Sequence, residues 1–416
     1  MFAFKKRKAA LFMEQGTGKT LTTLSVIVKS VKTEGLSRVI VICPKTVISS
    51  WTRQLKVHLN IKYQILDKTN CLELSKTANK SPTLCDTMVN ILIINYDLLN
   101  RLRLNLTNFK ADLVVFDESH RLKNRKSKQS KAAAQLTKAT DRVLLLTGTP
   151  VGKNEVDLYG QYRAMDNTIF KSWQEFEKAY LRRCGYLLMD RKIKKNKHQQ
   201  FISKVKDRAF YITKKEALDL PSEQEIIHTF DLTGKAKKHY VELEKYMYTE
   251  FEGIESSSPI VISNMLKLQR LTGGFLSLDN GDVVQLEQEK LMLLLDITDG
   301  YPINKKIVIF ARFTYEIDII AKGMKKQGRT YGILDGRTKD KSIWQIFQDK
   351  KDPAVLITQI ASGGVGIDLF VSDTAIFYSN SFNYIDYEQC KARLHRKGQK
   401  NKVSYIHLLA NFSIDI

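Results

Sequence analysis

Short apolar runs recur along the chain in two groups, and they constrain its fold more than any other feature. The runs of the first group are AALFM (9–13), RVIVIC (38–43), ILIIN (91–95), DLVVFD (112–117) and RVLLLT (142–147). Continuous apolar runs of this length are typical of strands that are buried on both faces, as in a parallel sheet. Between the first two runs, Leu21, Leu24, Val28 and Val31 recur at steps of three and four, which predicts an amphipathic helix.

The second group lies near the end of the sequence and consists of KIVIF (306–310), AVLIT (354–358), TAIFY (374–378) and VSYIHLL (403–409). The segment between the groups has helical patterns and many aromatic residues but few strand signals. Alternating strands and helices predict doubly wound parallel sheets. We therefore predict an α/β chain with two such domains, at residues 1–155 and 301–416, and a helical, basic insertion and linker at 156–300.

The chain carries 67 Lys and Arg against 44 Asp and Glu, which gives a formal net charge of +23. A surplus of this size indicates a polyanionic partner, most often nucleic acid. The alternative is a solvated basic surface without a specific partner. Residues 182–215 concentrate the charge, with 12 basic residues against Asp190 and Asp207. This segment either grips nucleic acid or is a solvated helical surface.

Cysteine spacing and hydropathy argue against several classes of protein. The five cysteines contain no CxxC pair, so neither a zinc cluster nor a disulfide framework is expected. No apolar run approaches the ~20 residues that span a bilayer, so no membrane segment is expected. We therefore expect an intracellular protein, cytoplasmic in a bacterial or viral setting and nuclear in a eukaryotic one, where KKRK (5–8) would suit a nuclear signal.

The stretch MEQGTGKT (13–20) follows the first strand and opens the first helix, which is the context of a phosphate-binding loop. Gly16 and Gly18 allow the backbone to curl, so that N–H groups at a helix N-terminus point toward phosphate oxygens. Lys19 would reach the β- and γ-phosphates, and the hydroxyl of Thr20 would bind Mg²⁺. The strict motif has a glycine where this chain has Met13. A glycine-rich turn without a ligand is the alternative.

A second motif, DLVVFDESH (112–120), predicts a buried strand that ends in two carboxylates at the edge of the sheet where ligands bind. Asp117 would hold Mg²⁺, and Glu118 would orient and polarise the attacking water, which predicts hydrolysis. The alternative is an acidic strand end that caps the next helix. His120 is expected to be a structural or coupling residue, because no second histidine lies at metal-ligand spacing.

A third motif, LLLTGTP (144–150), ends a further strand in a tight, hydroxylated turn that is suited to sensing the nucleotide. GTGKT, DESH and TGTP in this order resemble the motifs of superfamily-two helicases. More narrowly, the chain resembles Swi/Snf-type DNA translocases. The stretches that carry this resemblance are VICPKTVISSW (41–51), INYDLL (94–99), ITKKEALDLPSEQEI (212–226), KIVIFARF (306–313), LDGRT (334–338), ASGGVGIDL (361–369) and RLHRKGQ (393–399).

The resemblance covers nearly the whole chain and implies two RecA-like domains, ATP and Mg²⁺ as cofactors, and double-stranded DNA as the partner. It implies nucleotide contacts for Glu14, Gln15, Gly16, Thr17, Gly18, Lys19 and Thr20 in the loop, and for Gly364, Gly366 and Gln389 in the second domain. It implies DNA contacts for Pro44, Lys45, Trp51, Tyr96, Thr149, Ser362 and Gly363, mostly with backbone phosphates.

Gln389, Arg393 and Arg396 are spaced by four and three residues, which predicts that they share one face of a helix. In the resemblance, Arg393 and Arg396 are arginine fingers that reach the γ-phosphate from the second domain. Hydrolysis would then require closure of the two domains. The alternative for both arginines is a solvated basic helix or direct contact with DNA.

The chain departs from the family pattern at several places. Ile212 and Thr213 stand where the family has an arginine pair, and Lys153 stands where it has an asparagine. The family's adenine-recognition segment lies upstream of the phosphate-binding loop, and this sequence begins too late to contain it. NFSIDI (411–416) resembles a longer family stretch, so we expect the sequence to be a fragment.

Together these features predict a DNA-dependent ATPase that translocates on double-stranded DNA as a monomeric motor core. A strand-separating helicase is the nearest alternative. A nucleotide-gated DNA clamp without turnover is an alternative of another class, and the presence of Glu118, Arg393 and Arg396 argues against it.

Overall fold

The protein is described from a computed structural model, which covers residues 1–59, 63–67, 89–152, 154–184, 190–250, 259–278, 281–338, 342–363 and 367–416. The chain divides into two compact units between Asp219 and Leu220. The described residues of 156–219 therefore belong to the unit of the first parallel sheet, and those of 220–300 to the unit of the second. The separate limits at 155 and 300 stay a prediction.

Seventeen strands are present in the described part of the chain. They are β1 Lys8–Met13, β2 Arg38–Cys43, β3 Tyr63–Leu66, β4 Asn90–Asn95, β5 Leu113–Asp117, β6 Arg142–Thr147, β7 Leu181–Cys184, β8 Asp190–Ile193, β9 Ala209–Ile212, β10 Glu223–Phe230, β11 Phe275–Ser277, β12 Val283–Gln285, β13 Ile307–Ala311, β14 Tyr331–Leu334, β15 Val355–Gln359, β16 Thr374–Phe377 and β17 Val403–Ala410.

The α-helices connect these strands. They are α1 Phe2–Lys5, α2 Lys19–Glu34, α3 Ile48–His58, α4 Tyr96–Leu99, α5 Arg103–Asn108, α6 Lys128–Leu136, α7 Asp157–Met165, α8 Trp173–Tyr180, α9 His198–Arg208, α10 Lys214–Ala217, α11 Gly234–Glu250, α12 Pro259–Thr272, α13 Glu289–Asp299, α14 Thr314–Lys326, α15 Ile343–Asp349, α16 Ile360–Gly363 and α17 Tyr384–Leu394.

The first unit contains a parallel sheet with the strand order β3-β4-β2-β5-β6-β1-β9. Alternate residues of its central strands enter two different cores. Ala10, Phe12, Ile40 and Ile42 face one core, and Ala9, Leu11, Val39 and Val41 face the other. A strand that is buried on both faces needs apolar residues at every position, which explains the continuous runs in the sequence.

The second unit contains a parallel sheet with the order β10-β17-β16-β13-β15-β14. Two antiparallel hairpins, β7–β8 and β11–β12, complete the strand structure of the described residues. The predicted α/β class with two doubly wound parallel sheets is confirmed.

The expectation of few strands between the two groups of apolar runs was wrong. In the described part of that segment, β9 extends the first sheet beside β1, and β10 extends the second sheet beside β17. Burial in β10 alternates between half-buried and exposed residues, as expected for a strand at the edge of a sheet. Its partner β17 lies about 180 residues further along the chain, so no local sequence pattern predicts the pairing.

The predicted helix after the first strand is present as α2, but its buried face differs from the one predicted. Leu24 and Ile27 are buried, together with Thr23, whereas Leu21 is exposed. Leu21 lies in the first turn of the helix, directly after the phosphate-binding loop, where the helix has not yet reached the core.

Candidate active site

Three strand ends meet at one edge of the first sheet, because β5, β6 and β1 are neighbours in it. Asp117 closes β5 beside Leu146 of β6, and Phe12 of β1 pairs with Thr147. The carboxyl ends of parallel strands lie on the same side of a sheet. The structure therefore brings the GTGKT loop, the DESH segment and the TGTP turn together.

The phosphate-binding loop has the backbone curl that its motif requires, although Met13 replaces the motif's glycine. Gly16 and Gly18 have φ values of 86° and 93°, in the left-handed region that favours glycine, and α2 begins at the next residue. The Lys19 Nζ donates to the carbonyl oxygens of Met13 (2.8 Å) and Glu14 (3.2 Å). The ammonium is thus held inside the loop, at the N-terminus of a helix.

The TGTP turn lies directly against this loop through Gly148. A Cβ atom at Gly148 would lie 3.1 Å from the Gln15 backbone nitrogen and 3.3 Å from the Met13 carbonyl oxygen. Glycine therefore permits the close approach of the two backbones. Thr17 closes the loop locally, since its Oγ1 donates to the Glu14 carbonyl oxygen at 2.7 Å.

The Glu14 carboxylate has a structural contact in this structure. Its Oε2 accepts a hydrogen bond from the Lys214 backbone N–H at 2.8 Å, and the Glu14 N–H donates to the Ile212 carbonyl at 3.0 Å. Glu14 therefore ties the loop to β9 and to the start of α10. The nucleotide contact implied for it by the resemblance stays a prediction, as it does for Gln15 and Thr17.

The acidic pair lies at the end of β5, nearly out of contact with solvent. Asp117 is 6% exposed and Glu118 is 8% exposed. The Asp117 Oδ2 accepts from Trp51 Nε1 at 2.8 Å, and its Oδ1 accepts from the Glu118 N–H at 2.9 Å. Glu118 has a φ of 51°, an uncommon conformation for a residue with a side chain, and such conformations cluster at functional sites.

Burial and the neighbouring Glu118 carboxylate raise the pKa of Asp117 to about 6. Both effects disfavour the ionised form. The hydrogen bond from Trp51 and the positive charge of Lys19 oppose the shift in pKa. Asp117 thus titrates much closer to neutral pH than an ordinary aspartate does.

Trp51 and Tyr96 lie beneath the acidic pair rather than on the surface. Their side chains are 0% and 1% exposed. Trp51 binds the Asp117 carboxylate, and the Tyr96 hydroxyl donates to the Asp117 carbonyl oxygen at 2.9 Å. Both side chains are therefore turned away from solvent, and the DNA contacts that the resemblance implies for these two positions stay predictions. We assign them to positioning Asp117.

The other residues predicted to contact DNA in the first unit have mixed surroundings. Lys45 is exposed at the start of a single helical turn, and Pro44 before it is buried. Thr149 is half-buried in the TGTP turn, with its Oγ1 lacking a hydrogen-bond partner in the described part of the chain. Their DNA contacts stay predictions.

His120 connects the acidic pair to the TGTP turn. Its Nδ1 lies 3.3 Å from the Glu118 Oε2 and 3.2 Å from the Thr147 Oγ1. The same hydroxyl oxygen accepts the Thr149 N–H at 3.1 Å. The arrangement agrees with a coupling role for His120.

Gln161 is a buried residue at the site that sequence reasoning missed. It lies on α7 and is 0% exposed. Its Oε1 accepts from Ser119 Oγ at 3.0 Å, and its Nε2 donates to the Pro150 carbonyl at 2.6 Å. One amide thus joins the DESH segment to the TGTP turn. A glutamine inside LYGQYRAM (158–165), a mostly apolar stretch that also contains Arg163, was the only sequence signal.

Hydrolysis is expected to fall as the pH decreases through about 6, because protonation of Asp117 removes the charge that would hold Mg²⁺. Trp51→Phe removes a donor that stabilises the ionised carboxylate, so the acid limb should move to higher pH. The measurement is the ATPase rate against pH at limiting Mg²⁺. Trp344→Phe, in the second unit, is the matched control. An unmoved acid limb in Trp51→Phe would contradict the assignment.

The raised pKa of Asp117 has the opposite consequence for the stability of the fold. A folded-state pKa above the ordinary value of 3.8 means that ionised Asp117 destabilises the fold, and this cost grows as the pH rises from 3.8 to about 6. Asp117→Asn should therefore raise the melting temperature at neutral pH while it abolishes hydrolysis. A lower melting temperature would show that the two hydrogen bonds to the carboxylate outweigh the relief of its charge.

The predicted arginines lie in the second unit, and they do not share one helix. Gln389 and Arg393 are buried on α17, with 6% and 9% exposure. The helix ends at Leu394, and Arg396 lies in the following turn, where its N–H donates to the Leu394 carbonyl at 3.1 Å. The prediction of one helical face was wrong for Arg396, because the helix ends before it and His395 already has a non-helical ψ of 81°.

The turn that contains Arg396 folds back onto the ASGGVGIDL segment. Arg396 forms an ion pair with Asp368, and its Nη1 donates to the Ile367 carbonyl at 3.4 Å. The Leu369 N–H donates to the Arg393 carbonyl at 3.0 Å. Two sequence motifs that lie about 30 residues apart are thus one structural feature.

The other predicted residues of the second unit lie in the ASGGVGIDL segment and in the turn after α17. Gly364 and Gly366 lie outside the described residues, and Ser362 and Gly363 end the short helix α16. Lys397 and Lys400 are exposed.

The residues present fit a nucleotide with Mg²⁺. The described residues contain no group of three or more His, Cys, Asp or Glu side chains that could hold a metal by themselves. Mg²⁺ in nucleotide sites uses one or two carboxylates together with phosphates and water. Asp117 and the hydroxyl of Thr20, half-buried at the start of α2, are suitable ligands of this kind.

The described helices include none that is long and apolar enough to cross a membrane.

A phosphate-binding loop beside a buried Asp-Glu pair, followed by a second parallel-sheet unit that carries paired arginines, defines a helicase-like ATPase. Family models agree with this class. The SNF2-related domain matches residues 5–276, and the helicase conserved C-terminal domain matches residues 289–398. The chain belongs to the SNF2-related family, as the sequence motifs predicted.

Curated relatives match along nearly the whole chain. One is a SWI/SNF-related matrix-associated actin-dependent regulator of chromatin subfamily A-like protein 1 homolog of Caenorhabditis elegans, 25% identical over 97% of this chain and 56% of its own length. Another is an uncharacterized ATP-dependent helicase of Mycoplasma pneumoniae, 26% identical over 97% of this chain and 38% of its own. The chain thus spans about half or less of these relatives.

A similar solved structure is the Sulfolobus solfataricus SWI2/SNF2 ATPase core in complex with double-stranded DNA. It has 22% sequence identity and a TM-score of 0.47, and the match covers 98% of this chain and 85% of that one.

Proposed function

We propose that this chain is a DNA-dependent ATPase that couples ATP hydrolysis to translocation on double-stranded DNA. The observation that carries the proposal is the buried Asp117–Glu118 pair at the strand end beside the GTGKT loop. A kinase needs no second acid at this place, whereas hydrolysis needs a group that orients water. Membership of the SNF2-related family supports the same class of reaction.

In the proposed mechanism, the first unit binds the nucleotide. N–H groups of the loop and the start of α2 surround the phosphates. Lys19 leaves its two loop carbonyls to pair with the β- and γ-phosphates. Thr20 and Asp117 would hold Mg²⁺, which would supply positive charge to the phosphates. Glu118 accepts a hydrogen bond from the attacking water and orients it toward the γ-phosphate.

The second unit contributes Arg393 and Arg396. A guanidinium at the γ-phosphate stabilises charge that develops in the transition state, and such residues are worth about 10³–10⁵ in rate. The ion pair with Asp368 fixes the position of the Arg396 side chain before it contacts the nucleotide. Because the arginines and Glu118 belong to different units, hydrolysis in this proposal depends on the approach of one unit to the other.

Double-stranded DNA is the proposed partner, since the net charge of +23 favours a polyanion. The proposed contact positions are Pro44, Lys45, Trp51, Tyr96, Thr149, Ser362 and Gly363. Trp51 and Tyr96 lie on segments that the sequence assigned to DNA, yet their side chains bind Asp117. DNA on those segments would therefore act on the position of a catalytic carboxylate, which offers a route for stimulation of the ATPase.

The test is a comparison of ATP hydrolysis without DNA, with duplex DNA and with single-stranded DNA of the same sequence. We expect stimulation by the duplex. Absence of duplex stimulation would overturn the proposal. Displacement of a triplex strand without unwinding of the duplex would distinguish translocation, whereas unwinding of a forked substrate would indicate a strand-separating helicase. DNA binding without any turnover of ATP would indicate a nucleotide-gated clamp.

A further inference from the structure

A basic surface pocket lies in the first unit, outside the residues assigned to nucleotide or DNA. Its volume is about 250 Å³, and four cations line it: Lys123, Arg125, Lys126 and Arg191. Tyr159 and Trp173 supply its aromatic wall. The loop after DESH provides three of the cations, and the β7–β8 hairpin provides the fourth. The pocket therefore exists only in the folded unit.

Arg125 is the central group of this pocket. Its guanidinium carbon lies 4.0 Å from the centre of the Trp173 ring, a cation–π contact that holds the guanidinium against the ring. Within the described part of the chain, Arg125 makes no hydrogen bond or ion pair. Burial lowers the pKa of its guanidinium; Tyr159 and the Glu177 carboxylate oppose this shift, and the positive charges of Arg163 and Arg191 add to it. A guanidinium that lies close to other positive charges favours the binding of an anionic ligand.

The acids near the pocket have other partners. Glu177 forms an ion pair with Arg191 at 2.5 Å, and Asp157 accepts the Gly152 N–H at 2.9 Å. Neither forms an ion pair with Arg125, and the four cations of the lining outnumber its one acid, Asp157.

A phosphate ester fits this arrangement best. A guanidinium keeps its N–H donors in one plane, and this geometry matches two oxygens of a phosphate. The pocket is smaller than the ~300–1,000 Å³ that is typical of sites for drug-sized ligands. It therefore suits one phosphate with part of a sugar rather than a whole nucleoside triphosphate.

The surroundings favour a chain of phosphates over a single anion. Arg182 and Arg183 on β7 and Lys192 on β8 are exposed on the hairpin that carries Arg191. They belong to the segment that has 12 basic residues against two acids. Repeated positive charge along a surface matches the repeated negative charge of a nucleic-acid backbone.

We propose that the Arg125 pocket binds a backbone phosphate of nucleic acid, as a contact of the first unit that is additional to the helicase motifs. The inference rests on the proposed function only in taking duplex DNA as the nucleic acid. The contact holds the backbone and carries no sequence information. The basic hairpin then belongs to the nucleic-acid surface and is not merely solvated.

The test measures binding of nucleotide-free protein to a fluorescent duplex at several salt concentrations. Arg125→Gln should weaken binding several-fold for every duplex sequence. It should also reduce the slope of log K against log salt by about 0.9, the value for one lost phosphate contact. Lys126→Gln, a change at an exposed residue that cannot disturb the core, should act in the same direction. Lys138→Gln removes an exposed charge elsewhere in the unit and is the matched control.

An Arg125→Gln variant that is folded by its melting temperature and keeps the wild-type affinity and slope would overturn the proposal. So would an equal effect of Lys138→Gln, which would show only a general loss of charge. Titration with inorganic phosphate tests whether the pocket binds a free anion instead of a phosphate of nucleic acid. If phosphate binding depends on Arg125 while duplex binding does not, the pocket is a site for a free anion. Duplex stimulation of the wild-type ATPase reports separately on the proposed function.

Discussion

Glu118→Gln is expected to lower ATP hydrolysis by about 10²–10⁴-fold and to leave the affinity for ATP nearly unchanged. The amide has the shape of the carboxylate but cannot accept a proton from water. Glu118 is 8% exposed and directly follows the end of the strand at Asp117, so it is not part of the loop whose N–H groups would hold the phosphates. The substitution should therefore affect the chemical step more than binding.

The measurement pairs single-turnover hydrolysis with equilibrium binding of a fluorescent ATP analogue. Asp141→Asn is a suitable control, since it also neutralises one acid of the first unit but at an exposed ion pair with Arg7. Hydrolysis at the wild-type rate in Glu118→Gln would rule out Glu118 as the residue that orients water. A parallel loss of ATP binding would place it instead in the binding of the nucleotide.

Arg393→Ala is expected to lower kcat by about 10³-fold or more, with ATP binding to the first unit retained. The substitution leaves the backbone bond from the Leu369 N–H to the Arg393 carbonyl in place, so the ASGGVGIDL segment should keep its position. Lys397→Ala, an exposed lysine four residues further on, is the matched control. Equal losses of ATP binding and hydrolysis in Arg393→Ala would show that Arg393 is not an arginine finger.

Arg396 needs a variant that separates its chemistry from its ion pair. Arg396→Ala removes both the guanidinium and the contact with Asp368, whereas Asp368→Asn keeps the guanidinium and removes the charge of its partner. If Arg396 acts on the γ-phosphate, Arg396→Ala should be far more defective in kcat than Asp368→Asn. The same defect in both variants would mean that Arg396 serves to hold its own segment.

The site of the first unit was largely predictable, and its supporting residues were not. Lys19, Asp117 and Glu118 stand in motifs whose chemistry is local, so their positions at strand ends follow from the strands themselves. Gln161 stands in no motif, and its hydrogen bonds join segments that lie about 40 and 11 residues away. Such contacts depend on how α7 packs against its neighbours. The hydrophobic periodicity of the sequence does not predict that packing.

Trp51 and Tyr96 show a second limit of sequence patterns. Their segments were identified correctly, as α3 after β2 and α4 after β4. The contacts of both side chains with Asp117 were not predicted, because they depend on which strands are neighbours in space. β2 is the neighbour of both β4 and β5, which places Asp117 within reach of both aromatic residues.

By itself, the sequence determined the two parallel sheets, the phosphate-binding loop and the acidic pair, because doubly buried strands and the turns that follow them have local signatures. Only the tertiary structure decided the placement of the edge strands β9 and β10, the end of α17 before Arg396 and the Arg125 pocket. Each of these depends on contacts between segments far apart in the chain, and on charges whose effect changes once burial removes water.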